Sequence, residues 1–311
     1  VDPLVIEARR QVIEHCLYGV DINPMAVEMA KLSLWLVSMD PERPFTFLDD
    51  RLVCGDSLLG IGNLAALPED ALRDPRLDRE LSEVRELRRR LAALPDTLEA
   101  LSEKRRLLEE SRATAKRAAA YADLVTGALL VSTRLGREEA TKVAETVAVL
   151  ARRVSDGADP ADMTKQARTW LAIDLPPGAF ERDPLHWPLE FPEVFEKGGF
   201  DAIIGNPPFL GGQKLTGALG TAYREYLINE LGRGARGSAD LVAYFVLRAH
   251  DLLNPKGQTG LIATNTLAQG DTREVGLDQV VASDVTIREA IKSKPWPSKS
   301  AALEYCAIWT S

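Results

Sequence analysis

Two hydrophobic periodicities alternate along residues 1–66. Leu4, Ile6, Ala8, Val12, Ile13 and Cys16 fall mostly on one face of a helix, and the run LYGVD, residues 17–21, predicts a short buried strand. The next segment, INPMAVEMAKLSLWLVSM, places Asn23 as a helix N-cap and Pro24 at the first helical position. Behind them runs an apolar face of Met25, Met29, Leu32, Leu36 and Met39. A loop containing Pro41 and Pro44 leads to a second strand, Leu52 to Cys54, which stops at Gly55 and Asp56. Strand, helix, strand in this order predicts a crossover between parallel neighbours.

The pattern then changes. From about Leu77 to Arg117 the chain is rich in Arg, Glu and Leu, and Leu87, Leu91, Leu94, Leu98 and Leu101 recur at alternating four- and three-residue steps, the seam of packed helices. Pro95 and Asp96 interrupt that seam and predict a helical hairpin. Further helices are expected over 119–133 and 138–154, with another opened by Asp159 and Pro160. Charge-rich helices of this kind read as solvated structural elements. Strand patterning resumes after Leu175: a buried strand over 200–204, a helix over 239–253, a connection NPKGQTG, the strand LIATN, and two final strands joined by a Pro-, Lys- and Ser-rich loop. The compositional shifts near Leu67 and Asp174 divide the chain into 1–66, a helical insertion over 67–174, and 175–311. The class is α/β.

Composition narrows the function. With 311 residues, 45% hydrophobic and 27% charged, the chain can bury a sizeable core. A net charge of -8 argues against nonspecific adhesion to nucleic acid over the whole surface, while leaving room for a local basic face. The three cysteines, Cys16, Cys54 and Cys306, form neither a disulfide framework nor a CxxC site, which fits a reducing cytoplasm. Three histidines are a poor supply for zinc chemistry, and no metal is expected. No apolar run approaches the roughly 20 residues of a membrane span, and nothing near Val1 resembles a signal peptide. A start at Val1 and an end at Ser311 just after a strand suggest a fragment.

Candidate chemistry sits where strands end, because open α/β sheets bind ligands beyond the carboxyl ends of their parallel strands. Three such ends carry polar residues: Asp21, Asp56 and Asn206. Asp21 is suited to accept from both hydroxyls of a ribose, and Asp56 from an exocyclic adenine amine, with Leu58, Ile22 and Met25 sandwiching the ring. For both aspartates the alternative is a helix-cap or turn carboxylate. The third end is the stretch FDAIIGNPPFLGG. There the side-chain amide of Asn206 and the carbonyl of Pro207 can accept from one planar NH₂ group, two prolines hold those acceptors stiffly, and Phe209 offers a ring for stacking. Such a site suits a neutral nitrogen nucleophile attacking a cationic sulfonium, with no metal and no strong base. The alternative is an Asn-Pro turn with a packed Phe. In the loop KSKPWPSKS, Lys292, Lys294 and Lys299 beside Trp296 suit a phosphate backbone or an ordinary solvated hairpin loop.

Residues 17–36 (LYGVDINPMAVEMAKLSLWL), 52–58 (LVCGDSL), 186–195 (HWPLEFPEVF) and 200–209 (FDAIIGNPPF) together resemble the N6-adenine DNA methyltransferases of large restriction-modification and phage-defence enzymes. Within that group the chain is most similar to type IIG restriction-modification methylases and to the methylases of the BREX and DISARM defence systems. The resemblance covers about two thirds of the chain and is weak over the helical insertion. NPPF by itself also suits glutamine-N5 protein and guanine-N2 RNA methyltransferases; its combination with HWPLEFPEVF is more selective.

The resemblance implies a Rossmann-like class I S-adenosylmethionine-dependent methyltransferase core, a mostly parallel seven-stranded sheet. It implies S-adenosyl-L-methionine held by Asp21, Ile22, Asp56, Ser57, Leu58 and Asn206, and catalysis by Asn206, Pro207, Pro208 and Phe209 on the N6 amine of a flipped-out adenine. DNA is then the partner, other defence-system subunits can accompany it, and no membrane is involved. One departure stands out. The family's Gly-rich loop after the first strand, of the DPACGSG type, is absent before Asp21, where the early glycines are Gly19, Gly55, Gly60 and Gly62. The first strand is therefore expected upstream of Val1. A rival of another class is a noncatalytic scaffold whose Arg-rich helices bind partner protein or DNA backbone.

Overall fold

Helix α1 (Pro3–Cys16) begins where its first turn is satisfied: Asp2 accepts from the Leu4 amide at 2.9 Å, and Pro3 has no donor to waste there. The computed structural model describes residues 2–38, 48–95, 97–296 and 304–311; Met39, Pro41, Pro44, Asp96 and Lys299 lie outside the described residues. Strand β1 (Gly19–Asp21) follows α1 and pairs in parallel with β2 (Leu52–Cys54), Asp21 opposite Cys54. Between them runs α2 (Pro24–Ser38), capped by Asn23, whose Oδ1 accepts from the Met25 amide at 2.9 Å. Ile13, Val27, Leu48 and Leu52 form a small core with Leu17 and Leu34 against it. Val27 and Leu34, seven residues apart, thus define the buried face of α2. The expected face of Met25, Met29, Leu32 and Leu36 lies on the surface, Met25 at 66% exposure and Met29 at 62%.

After a short helix, α3 (Glu69–Leu72), the expected hairpin is formed by α4 (Pro75–Ala93) and α5 (Leu98–Ser132). Leu87 and Leu91 pack on Leu107 and Leu108, flanked by Leu94 and Leu101, whereas Leu98 stands at the turn and is exposed. The helix expected over 119–133 is the second half of α5. No Gly or Pro interrupts residues 98–126, and alanines keep propensity high. Helices α6 (Arg137–Ser155) and α7 (Ala161–Leu171) follow, the latter led in by Asp159 accepting from the Ala161 amide at 2.7 Å.

Two single turns, α8 (Trp187–Glu190) and α9 (Pro192–Phe195), precede β3 (Phe200–Gly205). Then come α10 (Gly212–Leu219), α11 (Thr221–Tyr226), α12 (Leu241–Leu252), β4 (Leu253–Ala263), α13 (Gly270–Val275), α14 (Leu277–Val281), β5 (Ile287–Pro295) and β6 (Glu304–Thr310). The sheet order is β3-β4-β6-β5, with β3 and β4 parallel and β6 antiparallel to both β4 and β5. Among the described residues, two strand pairings are parallel and two antiparallel, so the sheets are mixed instead of mostly parallel. Strand β4 absorbs NPKGQTG, which its Pro, Lys and Gly content disguised as a connection; it pairs with β3 from Leu253 onward across a bulge.

One face of this sheet is buried, with Thr259, Leu261, Ala263 and Ile308 inside, and His250 of α12 lies 2.9 Å from Thr310 Oγ1. The other face carries the exposed side chains of Ile204 and Trp309 beside a buried Ala307. Strand β3 is an edge among the described residues and Ile204 is 85% exposed, which corrects the expectation of a buried strand.

The chain packs into two compact units. The first comprises Val1–Thr126, Glu145–Arg168 and Arg182–Glu193; the second comprises Gly127–Ala144, Thr169–Glu181 and Val194–Ser311. Among the described residues, no helix is long and apolar enough to cross a membrane, and no group of three His, Cys, Asp or Glu is placed to hold a metal.

Candidate active-site residues

In the first unit, parallel pairing brings the ends of β1 and β2 together. The Gly55 amide donates to the Asp21 carbonyl at 3.1 Å, and Cys54 Sγ lies 3.5 Å from the Ile22 carbonyl oxygen. Asp21 is exposed. Its Oδ1 accepts from the Asn23 amide at 2.8 Å, the short-range contact that starts the turn into α2. Burial, and then the carboxylates of Asp183 and Asp21, push the Cys54 thiol up from its ordinary value. Ile22 and Met25 are exposed beside Asp21.

Asp56 is different. It is 6% exposed, and its Oδ1 accepts from the amides of Leu58 at 3.0 Å and Leu59 at 3.2 Å, the turn-carboxylate arrangement. Leu58 is buried and Ser57 half-buried.

What holds that turn is Leu185 together with the start of the HWPLEFPEVF segment. The Leu185 amide donates to the Leu59 carbonyl at 2.9 Å, the Trp187 amide to the Ile61 carbonyl at 3.2 Å, and the Trp187 indole to the Ser57 carbonyl at 3.2 Å. The Ile61 amide donates to His186 Nδ1 at 3.3 Å, which fixes the ring proton on Nε2, 2.9 Å from Asp123 Oδ1 on α5. Gly60 has φ +112, and a Cβ there would lie 2.4 Å from the Leu185 carbonyl oxygen; only glycine permits this approach. Sequence reasoning missed His186 and Asp123. The available signal was a polar ring nitrogen in an otherwise apolar, Pro-rich stretch.

The same segment carries a buried charge cluster. Arg88 Nη2 of α4 lies 3.0 Å from Glu193 and donates to the Asp50 carbonyl at 2.8 Å. Arg51 sits 4.8 Å from the Tyr18 ring centroid, and Tyr18 packs edge-on against Phe191. Burial pushes Asp50 upward, opposed by Arg88 and Arg51; burial followed by Glu193 pushes the Tyr18 hydroxyl up to about 12. The charge-rich helices are therefore not solvated throughout: Arg88 is buried.

A cavity of about 760 Å³ follows β2, lined by Pro24, Lys31, Cys54, Arg105, Arg112 and Glu190 among others. None of Asp21, Ile22, Asp56, Ser57 and Leu58 lines it.

In the second unit, β3 stops at Gly205 and the NPPF loop follows. Asn206 is exposed, with no side-chain partner among the described residues; Pro207 is buried; Pro208 and Phe209 are exposed. The loop closes on itself through the Leu210 amide, 2.9 Å from the Pro208 carbonyl oxygen, and is tied down by the Leu241 amide donating to the Leu210 carbonyl at 3.0 Å. One proline is an anchor and the other a spacer. The arrangement leaves the Asn206 amide and the Phe209 ring exposed at a strand end.

No curated protein matches the sequence. Among solved structures, the type IIL restriction-modification enzyme MmeI, determined in complex with DNA, is similar over 42% of this chain at 20% identity and a TM-score of 0.33. The match spans 18% of that enzyme's own length. The family model described as Eco57I restriction-modification methylase matches residues 15–295, a span that takes in both sets of strand-end residues. By that match the chain belongs to the Eco57I restriction-modification methylase family.

Proposed function

We propose that this protein transfers a methyl group from S-adenosyl-L-methionine to the N6 amine of a flipped-out adenine in DNA, marking DNA within a cytoplasmic restriction-modification or phage-defence system. The observation that carries this reading is the NPPF loop, with Asn206 and Phe209 exposed at the end of β3 and Pro207 buried beneath them. Asn206 Oδ1 and the Pro207 carbonyl accept from the target amine, turning its lone pair outward, and Phe209 stacks on the base. The amine's surplus proton leaves to water after transfer. Pro208 limits the freedom of the loop.

S-adenosylmethionine, when bound, supplies an electrophilic methyl group. The residues present fit it on one side. Asp21 offers an exposed carboxylate whose second oxygen has no protein donor among the described residues, and Ile22 and Met25 add exposed apolar surface. Asp56, Ser57 and Leu58 act through their turn, the carboxylate holding the amides of Leu58 and Leu59.

The fold we propose is the Rossmann-like class I core, with 67–174 inserted between 1–66 and 175–311 in chain order. Each unit carries a parallel pair of the kind such a core is built from, β1 with β2 in the first and β3 with β4 in the second.

The test is direct. The full-length protein is given S-adenosylmethionine with a labelled methyl group together with DNA, RNA and protein, and the product is hydrolysed. Label in 6-methyladenine is expected; label in protein glutamine or RNA guanine alone, or none anywhere, overturns the assignment.

A further inference from the structure

Asp240 is the N-cap residue of α12, and aspartate is among the best capping residues, yet its side chain makes no capping bond to that helix. Its carboxylate serves elsewhere. Oδ1 accepts from the Gly212 amide at 2.8 Å and Oδ2 from the Thr266 hydroxyl at 2.5 Å. Gly212 opens α10, three residues after Phe209, and the preceding Gly211 has no side chain with which to cap it. Asp240 therefore satisfies, from another helix, a donor that would otherwise be orphaned just beyond the NPPF loop. Thr266 lies just past the carboxyl end of β4, the parallel neighbour of β3.

The surroundings make this contact a clamp. A Cβ at Gly212 would lie 2.1 Å from the Ser238 carbonyl oxygen, so the two backbones touch. The Leu241 amide holds the Leu210 carbonyl, the Asp240 amide donates to Thr272 Oγ1 at 3.1 Å, and the Ser238 amide donates to Asp271. Every one of these groups lies in the second unit.

We propose that Asp240 is a positioning residue for methyl transfer: its carboxylate fixes the NPPF loop against the carboxyl end of β4, so that the acceptors at Asn206 and Pro207 are held in place before the substrate arrives. The inference rests on the methyl-transfer reading above. Misplacing a reacting group by about 1 Å can cost about 100-fold in rate, so a loosened anchor should appear in the chemical step.

Asp240→Ala removes both contacts. Asp240→Asn can keep both, accepting from Gly212 through its oxygen and donating to the Thr266 hydroxyl through its NH₂. Thr266→Val removes one contact and keeps the side-chain shape. In the full-length protein, the single-turnover transfer rate at saturating DNA and cofactor should fall about 10-fold or more in Asp240→Ala, fall less in Thr266→Val, and stay within about threefold of wild type in Asp240→Asn. The KM for DNA should be unchanged. Hydrogen exchange over residues 205–212 should quicken in the first two variants and not in the third. An unchanged rate and unchanged exchange in Thr266→Val and in folded Asp240→Ala overturn the inference, as does a loss in Asp240→Asn equal to that in Asp240→Ala. If the wild type methylates no DNA, the functional reading fails, and the exchange measurement still decides whether Asp240 anchors the loop.

Discussion

Two strand ends in this molecule carry comparable polar groups and treat them oppositely. At the end of β2, Asp56 is buried under a segment more than a hundred residues distant in sequence, and its carboxylate is spent on local amides. At the end of β3, Asn206 is exposed, and stiffness comes from two prolines and from backbone contacts made behind it. The first end is shaped by long-range bracing, the second by covalent restriction. A group meant to hold a loop can be buried and saturated; a group meant to meet a substrate must keep its acceptor available.

Breaking the brace should be the larger effect on stability. Arg88→Ala leaves Glu193 without its buried partner, and a loss of about 3–5 kcal/mol is expected. Urea unfolding measures it, and a loss near zero would show that the cluster contributes nothing net. Asn206→Ala should do the reverse. Transfer should fall about 10²–10³-fold, while the unfolding free energy changes by no more than about 0.5 kcal/mol because the side chain is exposed. Single-turnover assay beside the same urea titration tests both halves.

Gly60→Ala is expected to cost more than about 1 kcal/mol, since φ is +112 and the Leu185 carbonyl blocks the added carbon. A weaker loss of cofactor binding should accompany it, read by calorimetry. Tyr18 gives a pH signature. Its pKa rises from 10.0 to about 12, so the folded state holds that proton more tightly than the unfolded chain. The resulting stabilisation is complete below pH 10 and is lost as the pH rises from 10 to about 12. Tyr18→Phe should flatten the stability profile across that window. Glu69→Gln is the smallest, removing an exposed helix pair with Arg73 and shifting stability by no more than about 0.5 kcal/mol.

Local signals were legible in the sequence. The Asn23 cap, the Pro95 break and the abrupt stop before NPPF each follow from one or two residues whose backbone preferences decide the matter. Less could be read where the deciding partner is distant. The Met25, Met29, Leu32, Leu36 stripe is a real periodicity, but only the position of Leu48 and Leu52 shows that α2 turns Val27 inward instead. Arg88 looks like its neighbours Arg89 and Arg90 until Glu193 arrives beside it. Strand β4 hid its first half because Asn, Pro, Lys and Gly argue against a strand unless one is already there to pair with. Asp240 carried a capping signature and used it on a different helix.

The bracing of Asp56 also sets a clock on the ribosome. The bonds from Ile61 to His186 and from Trp187 to Ser57 span 125 and 130 residues. At about 5–20 residues per second, the turn is synthesised roughly 6–25 s before the segment that closes it. Through that interval the α4–α5 hairpin, whose contacts are local, can form while the Asp56 turn waits unbraced. The turn that carries Asp56 is thus made early in synthesis and closed late.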